Sequence, residues 1–161
     1  MDVQKTTKET IEKGGILALL YFDIHAKTKE TVQEIGTGFV EELLKKDGVV
    51  YALGEIDEPI LDKDIYSTSV EIKILVRTFS QLIALCAVNS PFAVEILKPD
   101  KISLEVGEAQ EILTSVAATT ADYKKYIVER LSKPEDLERY RHFMEKRREI
   151  GKKILERKEG E

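Results

Sequence analysis

The strongest constraint on the fold is a strand–helix–strand pattern that occurs twice between residues 15 and 97. Apolar residues alternate or run continuously in the predicted strands, and they recur every three or four positions in the predicted helices. The pattern predicts six elements in chain order: strand Ile16–His25, helix Thr28–Lys46, strand Val49–Ile56, strand Ile65–Val76, helix Phe79–Asn89 and strand Phe92–Leu97. We therefore expect an α+β domain in which both helices cover one face of a sheet.

Boundary signals support these helices. Thr28 is a suitable N-cap for the first helix, and Gly48 is a suitable stop after it. Thr78 and Gln81 have the spacing of a capping box at the start of the second helix, which must end before Pro91. The acidic segment 57–64 between the two middle strands predicts a solvated hairpin loop.

The flanking segments divide the chain into three parts. Residues 1–14 predict a polar arm or short helix, and residues 15–106 predict the main domain, with a short extra strand from Ile102 to Val106. Residues 107–161 predict a helical extension, one helix from Glu108 and one from Pro134, packed on the same domain or on a partner subunit.

The order of these elements over residues 15–97 resembles the ferredoxin-like βαββαβ sandwich and, more loosely, domains of the ACT type. The resemblance implies a four-stranded antiparallel sheet with strand order 4-1-3-2, to which this chain adds two C-terminal helices. It also implies self-association and binding of small effectors between subunits.

Composition and charge argue against two classes of partner. The segment 133–161 has 10 basic and 8 acidic residues, which leaves a net charge of −7 on residues 1–132 and predicts repulsion of a nucleic-acid backbone. The N-terminus lacks the features of a secretion signal, and the apolar run Ile16–Phe22 is too short to cross a bilayer. We expect a cytoplasmic protein. The 34% charged content, rich in Lys and Glu, is typical of thermophiles, and the lone Cys86 is expected in the core.

Alternation along the strands places polar residues on the open face, which we define as the sheet face away from the two predicted helices. The predicted ligand-binding residues on this face are Asp23, His25, Glu55, Ser69, Glu71 and Glu95. With the strand order that the resemblance implies, Asp23 and His25 lie between Glu95 and Glu71, so these four are also candidate ligands of a divalent metal. The alternative is a solvated or covered face in which Lys73 neutralises Glu71.

Two functions are compatible with these features. The preferred one is a non-enzymatic, homo-oligomeric regulatory or small-ligand-binding module, and the alternative is a metal-dependent enzyme that uses the acidic cluster on the open face. RNA binding is disfavoured because this face lacks the basic and aromatic residues that pair and stack with bases.

Overall fold

The computed structural model describes residues 2–131 and 133–159, and it describes their side chains except those of 147 and 150–159. This part of the chain forms, in order, α1 (Val3–Glu12), β1 (Ile16–Ala26), α2 (Lys29–Leu44), β2 (Val49–Ile56), β3 (Ile60–Asp62), β4 (Ile65–Val76), α3 (Phe79–Asn89), β5 (Ala93–Lys98), α4 (Val106–Leu131) and α5 (Pro134–Glu159). Thr28 caps α2, and Thr78 and Gln81 form the predicted capping box of α3. None of the described helices is both long and apolar enough to span a lipid bilayer.

The strands form one antiparallel sheet in the order β2-β4-β1-β5, with β3 paired to β4 beyond the end of β2. The sheet thus has five strands and not the predicted four, because part of the segment 57–64 is extended and not loop. The reason is the length of β4, which continues past its last β2 pair, Ile56 with Val70. Ile60–Asp62 pairs with the first three residues of β4, of which Ile65 is exposed and Tyr66 and Ser67 are half-buried.

The core lies between the sheet and helices α2 and α3. Alternate residues of β1 and β4 are buried here with side chains from both helices: Ile16, Ala18, Leu20, Phe22, Ile24, Val70, Ile72, Ile74, Val76, Val32, Leu43, Leu82 and Leu85. The predicted alternation of β1 and β4 is confirmed. Cys86 is half-buried against this core, and partial burial raises the pKa of its thiol.

The region after β5 differs from the prediction. Residues 101–105 form no strand, and Val106 already belongs to α4. Ile102 packs against the core, whereas Leu104 and Val106 are exposed. Three residues that face such different surroundings do not form one half-buried strand, so the predicted extra strand is wrong.

The chain divides into two compact units, Met1–Val116 and Ala117–Glu161. The first contains the sheet with α1, α2 and α3. In the second, residues from both α4 and α5 line a groove of about 600 Å³, and the Arg130 guanidinium lies 5.0 Å from the ring centroid of Tyr126.

Two glycines offer a matched test of the packing between α2 and β2. A Cβ atom on Gly54 of β2 would overlap the Val40 side chain of α2, whereas a Cβ on Gly38 would meet no atom within 4 Å. We expect Gly54→Ala to lower the free energy of unfolding by about 1–3 kcal/mol. Gly38→Ala is expected to raise it by about 0.5–1 kcal/mol, since Ala is the better helix former. Urea unfolding measures both.

The same clash predicts coupling between Gly54 and Val40. In a Val40→Ala background the methyl groups that oppose the new Cβ are gone, so Gly54→Ala should cost less there than in the wild type. An equal cost in both backgrounds would contradict this packing.

Candidate functional site

The strand register places all six predicted ligand-binding residues on the open face. Residues directly opposite each other in an antiparallel pair point to the same face. Tyr21 is opposite Glu71, Asp23 opposite Ser69, and His25 opposite Ser67. Glu55 is opposite Glu71 on the other side of β4, and Glu95 is opposite Leu19.

A shared face does not bring these residues into one cluster. Ser69 Oγ donates to Asp23 Oδ1 at 3.3 Å, and His25 Nδ1 lies 2.8 Å from Ser67 Oγ. Glu95 is beside Leu19, four positions along β1 from Asp23. Among the described residues, no three His, Cys, Asp or Glu side chains lie together where they could hold a metal ion. The four candidate metal ligands thus share a face but not a coordination shell. The register spreads them along the strands, at Asp23, His25, Glu71 and Glu95.

Tyr21 is at the centre of the acidic part of this face. Desolvation is the main cause that raises the pKa of its phenol, followed by the negative charges of Glu71 and Glu95 and by a hydrogen bond to Glu71. Its ring also contacts Phe92, with 6.1 Å between centroids. These surroundings therefore favour the neutral phenol over the phenolate.

Helix α1 covers the opposite end of the open face. Asp2 caps this helix by accepting hydrogen bonds from the backbone N–H groups of Gln4 and Lys5, at 3.1 and 3.2 Å. Ile11 then packs against an apolar cluster of Leu17, Tyr51 and Leu75, which are at most 8% exposed. Tyr51 also ties the helix to the sheet, because its hydroxyl lies 2.9 Å from Thr7 Oγ1. The predicted arm is thus a helix docked on the sheet.

A groove of about 500 Å³ lies between α1 and the sheet. We call it the α1 groove, and it is lined by Val3, Gln4, Thr7, Lys8, Ile11, Glu12, Leu17, Tyr51, Leu53, Lys73 and Lys98. Its lining combines apolar side chains with three lysines and one carboxylate. Such a groove suits a small amphipathic anion.

Lys73 is the lysine that β4, the strand between β1 and β2, contributes to the groove. In the register it stands between Leu19 of β1 and Leu53 of β2. Within the described part of the chain, no carboxylate oxygen lies within 4.0 Å of its ammonium, so Lys73 does not form the ion pair with Glu71 that was considered as the alternative to a metal site. An exposed lysine between two leucines combines an apolar surface with a charge available to a ligand.

The α1 groove was not foreseen from the sequence. The available signals were the leucines Leu17, Leu19 and Leu53 among the polar residues of the open face, and the spacing of Val3, Thr7 and Ile11 on one side of α1. Each signal is local. Neither one specifies that this helix folds back onto these strands.

The acidic surroundings of Tyr21 predict a titration that depends on Glu71. Removal of the Glu71 charge should lower the pKa of Tyr21, since this charge raises it in the wild type. Glu71→Gln should therefore shift the ionisation of Tyr21 to lower pH, measured by NMR of ¹³Cζ-labelled tyrosine and assigned with Tyr21→Phe. Glu55→Gln is the matched control, because Glu55 is not among the groups that raise this pKa. An unchanged titration in Glu71→Gln would contradict the contact.

Comparison with known proteins gives one finding. Neither the curated proteins nor the solved structures include a match to this chain. The model of the MJ0538 family matches residues 17–157, which takes in the whole sheet apart from the first residue of β1 and almost all of α5. The chain belongs to the MJ0538 family.

Proposed function

We propose that this protein is a non-catalytic, homo-oligomeric module that binds a small organic anion with an apolar body in the α1 groove. The observation that carries the proposal is the groove itself, whose lining combines Lys8, Lys73 and Lys98 with apolar side chains. The proposal retains the cytoplasmic location expected from the sequence.

The charge pattern of the open face favours an anion at this end. In the groove, three lysines outnumber the single carboxylate, Glu12. Further along the same face, Glu55 and Glu71 are direct neighbours, and Glu71 and Glu95 both act on Tyr21. An anion is therefore attracted to the lysines and repelled from the acidic end.

The floor of the groove favours an apolar body on the ligand. Leu17 and Tyr51 are buried beneath α1, whereas Leu53 is 51% exposed at the side of the groove. A hydrocarbon chain on Leu53 removes apolar area from water on both partners, which contributes about 25 cal/mol per Å². The carboxylate or sulfonate at its end then pairs with Lys73.

The six residues predicted from the sequence have an indirect role in this proposal. Glu55, Glu71 and Glu95 select against a second negative charge on the ligand. Asp23, Ser69 and His25 lie beyond them on the face and carry local hydrogen bonds.

The strand order supports the proposed function by analogy with other proteins of similar fold. Without the short β3, the strands β1, β2, β4 and β5 count as the first to the fourth. The order β2-β4-β1-β5, taken from the β5 edge, is then 4-1-3-2, and this supports a ferredoxin-like assignment. Ferredoxin-like domains of the ACT type often pair and bind small effectors, although a fold does not determine a function.

Calorimetric titration with octanoate tests the proposal. We expect saturable binding near one molecule per chain and weaker binding of octylammonium, which has the same body but the opposite charge. Lys73→Glu should raise the Kd of octanoate at least tenfold, because it replaces a charge-assisted contact of about 1.5–3 kcal/mol by repulsion.

Lys27→Glu provides the matched control. Lys27 is an exposed lysine that follows β1, outside the groove, and the substitution changes the net charge by the same amount. Its Kd for octanoate should remain near that of the wild type. Equal binding of octanoate and octylammonium, or equal effects of the two substitutions, would refute an anion site in the groove.

A further inference from the structure

The two outer strands of the sheet, β2 and β5, differ in how well they are covered. On β2, Tyr51 is buried under α1, and Ala52 is buried in the core beneath the helices. No residue of β5 is buried. Its two apolar residues on the helix side, Val94 and Ile96, are 45% and 41% exposed.

The exposed residues of β5 belong to the apolar layer of the sheet. Val94 is opposite Leu20 and Ile96 is opposite Ala18, and both partners on β1 are almost completely buried. The core layer therefore continues to the edge of the sheet and is only partly covered there. An edge strand also presents backbone N–H and C=O groups that only another extended segment can pair in a ladder.

We propose that β5 pairs antiparallel with β5 of a second copy of this chain, so that two sheets join into one across a twofold axis. This interface rests on the homo-oligomeric part of the proposed function and does not require an anion in the groove. Two identical strands related by a twofold axis perpendicular to the sheet are antiparallel, so one strand provides both halves of the contact. The exposed parts of Val94 and Ile96 are then covered by the same residues of the partner.

Side-chain alternation restricts the register of this pair. Both helix layers lie on the same side of the joined sheet, so each residue must be opposite one of the same face. An axis at Glu95 would place the two Glu95 carboxylates opposite each other, which is destabilising. An axis at Val94 or Ile96 places apolar residues opposite each other, and we assign the axis to one of these two positions.

The mass of the full chain in solution tests the interface, measured by size-exclusion chromatography with light scattering. The wild type should have twice the mass of one chain or an even multiple of it. Ile96→Lys should shift the population toward monomer, because a charge on the inner side of an edge strand blocks pairing. Ile60→Lys is the control, since Ile60 is an exposed apolar residue on β3, away from the interface.

Cysteine variants test the register by a signal that appears only on pairing. In a Cys86→Ser background, Val94→Cys or Ile96→Cys should give a covalent dimer on oxidation with diamide, because a residue on the axis lies about 4.5–5.5 Å from its own copy. Glu95→Cys should not, because its copy would then lie about 8 Å away, which is too far for a disulfide.

The outcomes separate the two proposals. A monomeric wild type would overturn both this interface and the homo-oligomeric part of the proposed function. An oligomer that survives Ile96→Lys and gives no covalent dimer at position 94 or 96 would overturn only the β5 interface. A covalent dimer of Glu95→Cys would overturn the register. Both measurements are made without octanoate, so occupancy of the groove does not enter either result.

Discussion

The antiparallel pairing of β1 with β4 is the interaction on which the rest of the structure depends. It extends over eleven residue pairs, from Ile16 with Val76 to Ala26 with Tyr66. Because side chains alternate, this register decides which residues enter the core and which form the open face. A shift of β4 by one residue would expose Ile72, which is completely buried, and would bury Glu71. Both changes are costly, so the register and the open face are fixed together.

The same pairing gives the open face two chemically different ends. Toward one end of β4, Lys73 and Leu75 lie under or beside α1, and the surface is apolar and basic. Toward the other, Glu71 has Glu55 on one side and Tyr21 on the other, and the surface is acidic. Lys73 and Glu71 are only two positions apart on the strand. A ligand on this face therefore meets opposite electrostatic potentials within a few ångströms, which makes its charge the main determinant of where it binds.

Those features that depend on local periodicity could be predicted from the sequence. The bounds of β2, β4 and α3 and the two faces of β1 follow from alternation and capping, which neighbouring residues determine. The pairing of Ile60–Asp62 with β4 could not be predicted, because it depends on how far β4 extends past β2. The location of α1 depends on contacts of Ile11 and Thr7 with residues far along the chain. For the same reason, residue spacing predicted that Asp23 and Glu95 share a face but not how far apart they lie.

Lys98 connects the groove with the edge of the sheet. It is the last residue of β5, and it also lines the α1 groove. In the described structure its ammonium lies 3.2 Å from Asp100 Oδ1, just after the strand. A partner strand beside β5 would restrict the backbone that carries both residues, and any change in this ion pair alters the charge available in the groove. Coupling between two binding events is reciprocal, so an anion that draws Lys98 into the groove would in turn change the stability of the β5 pair.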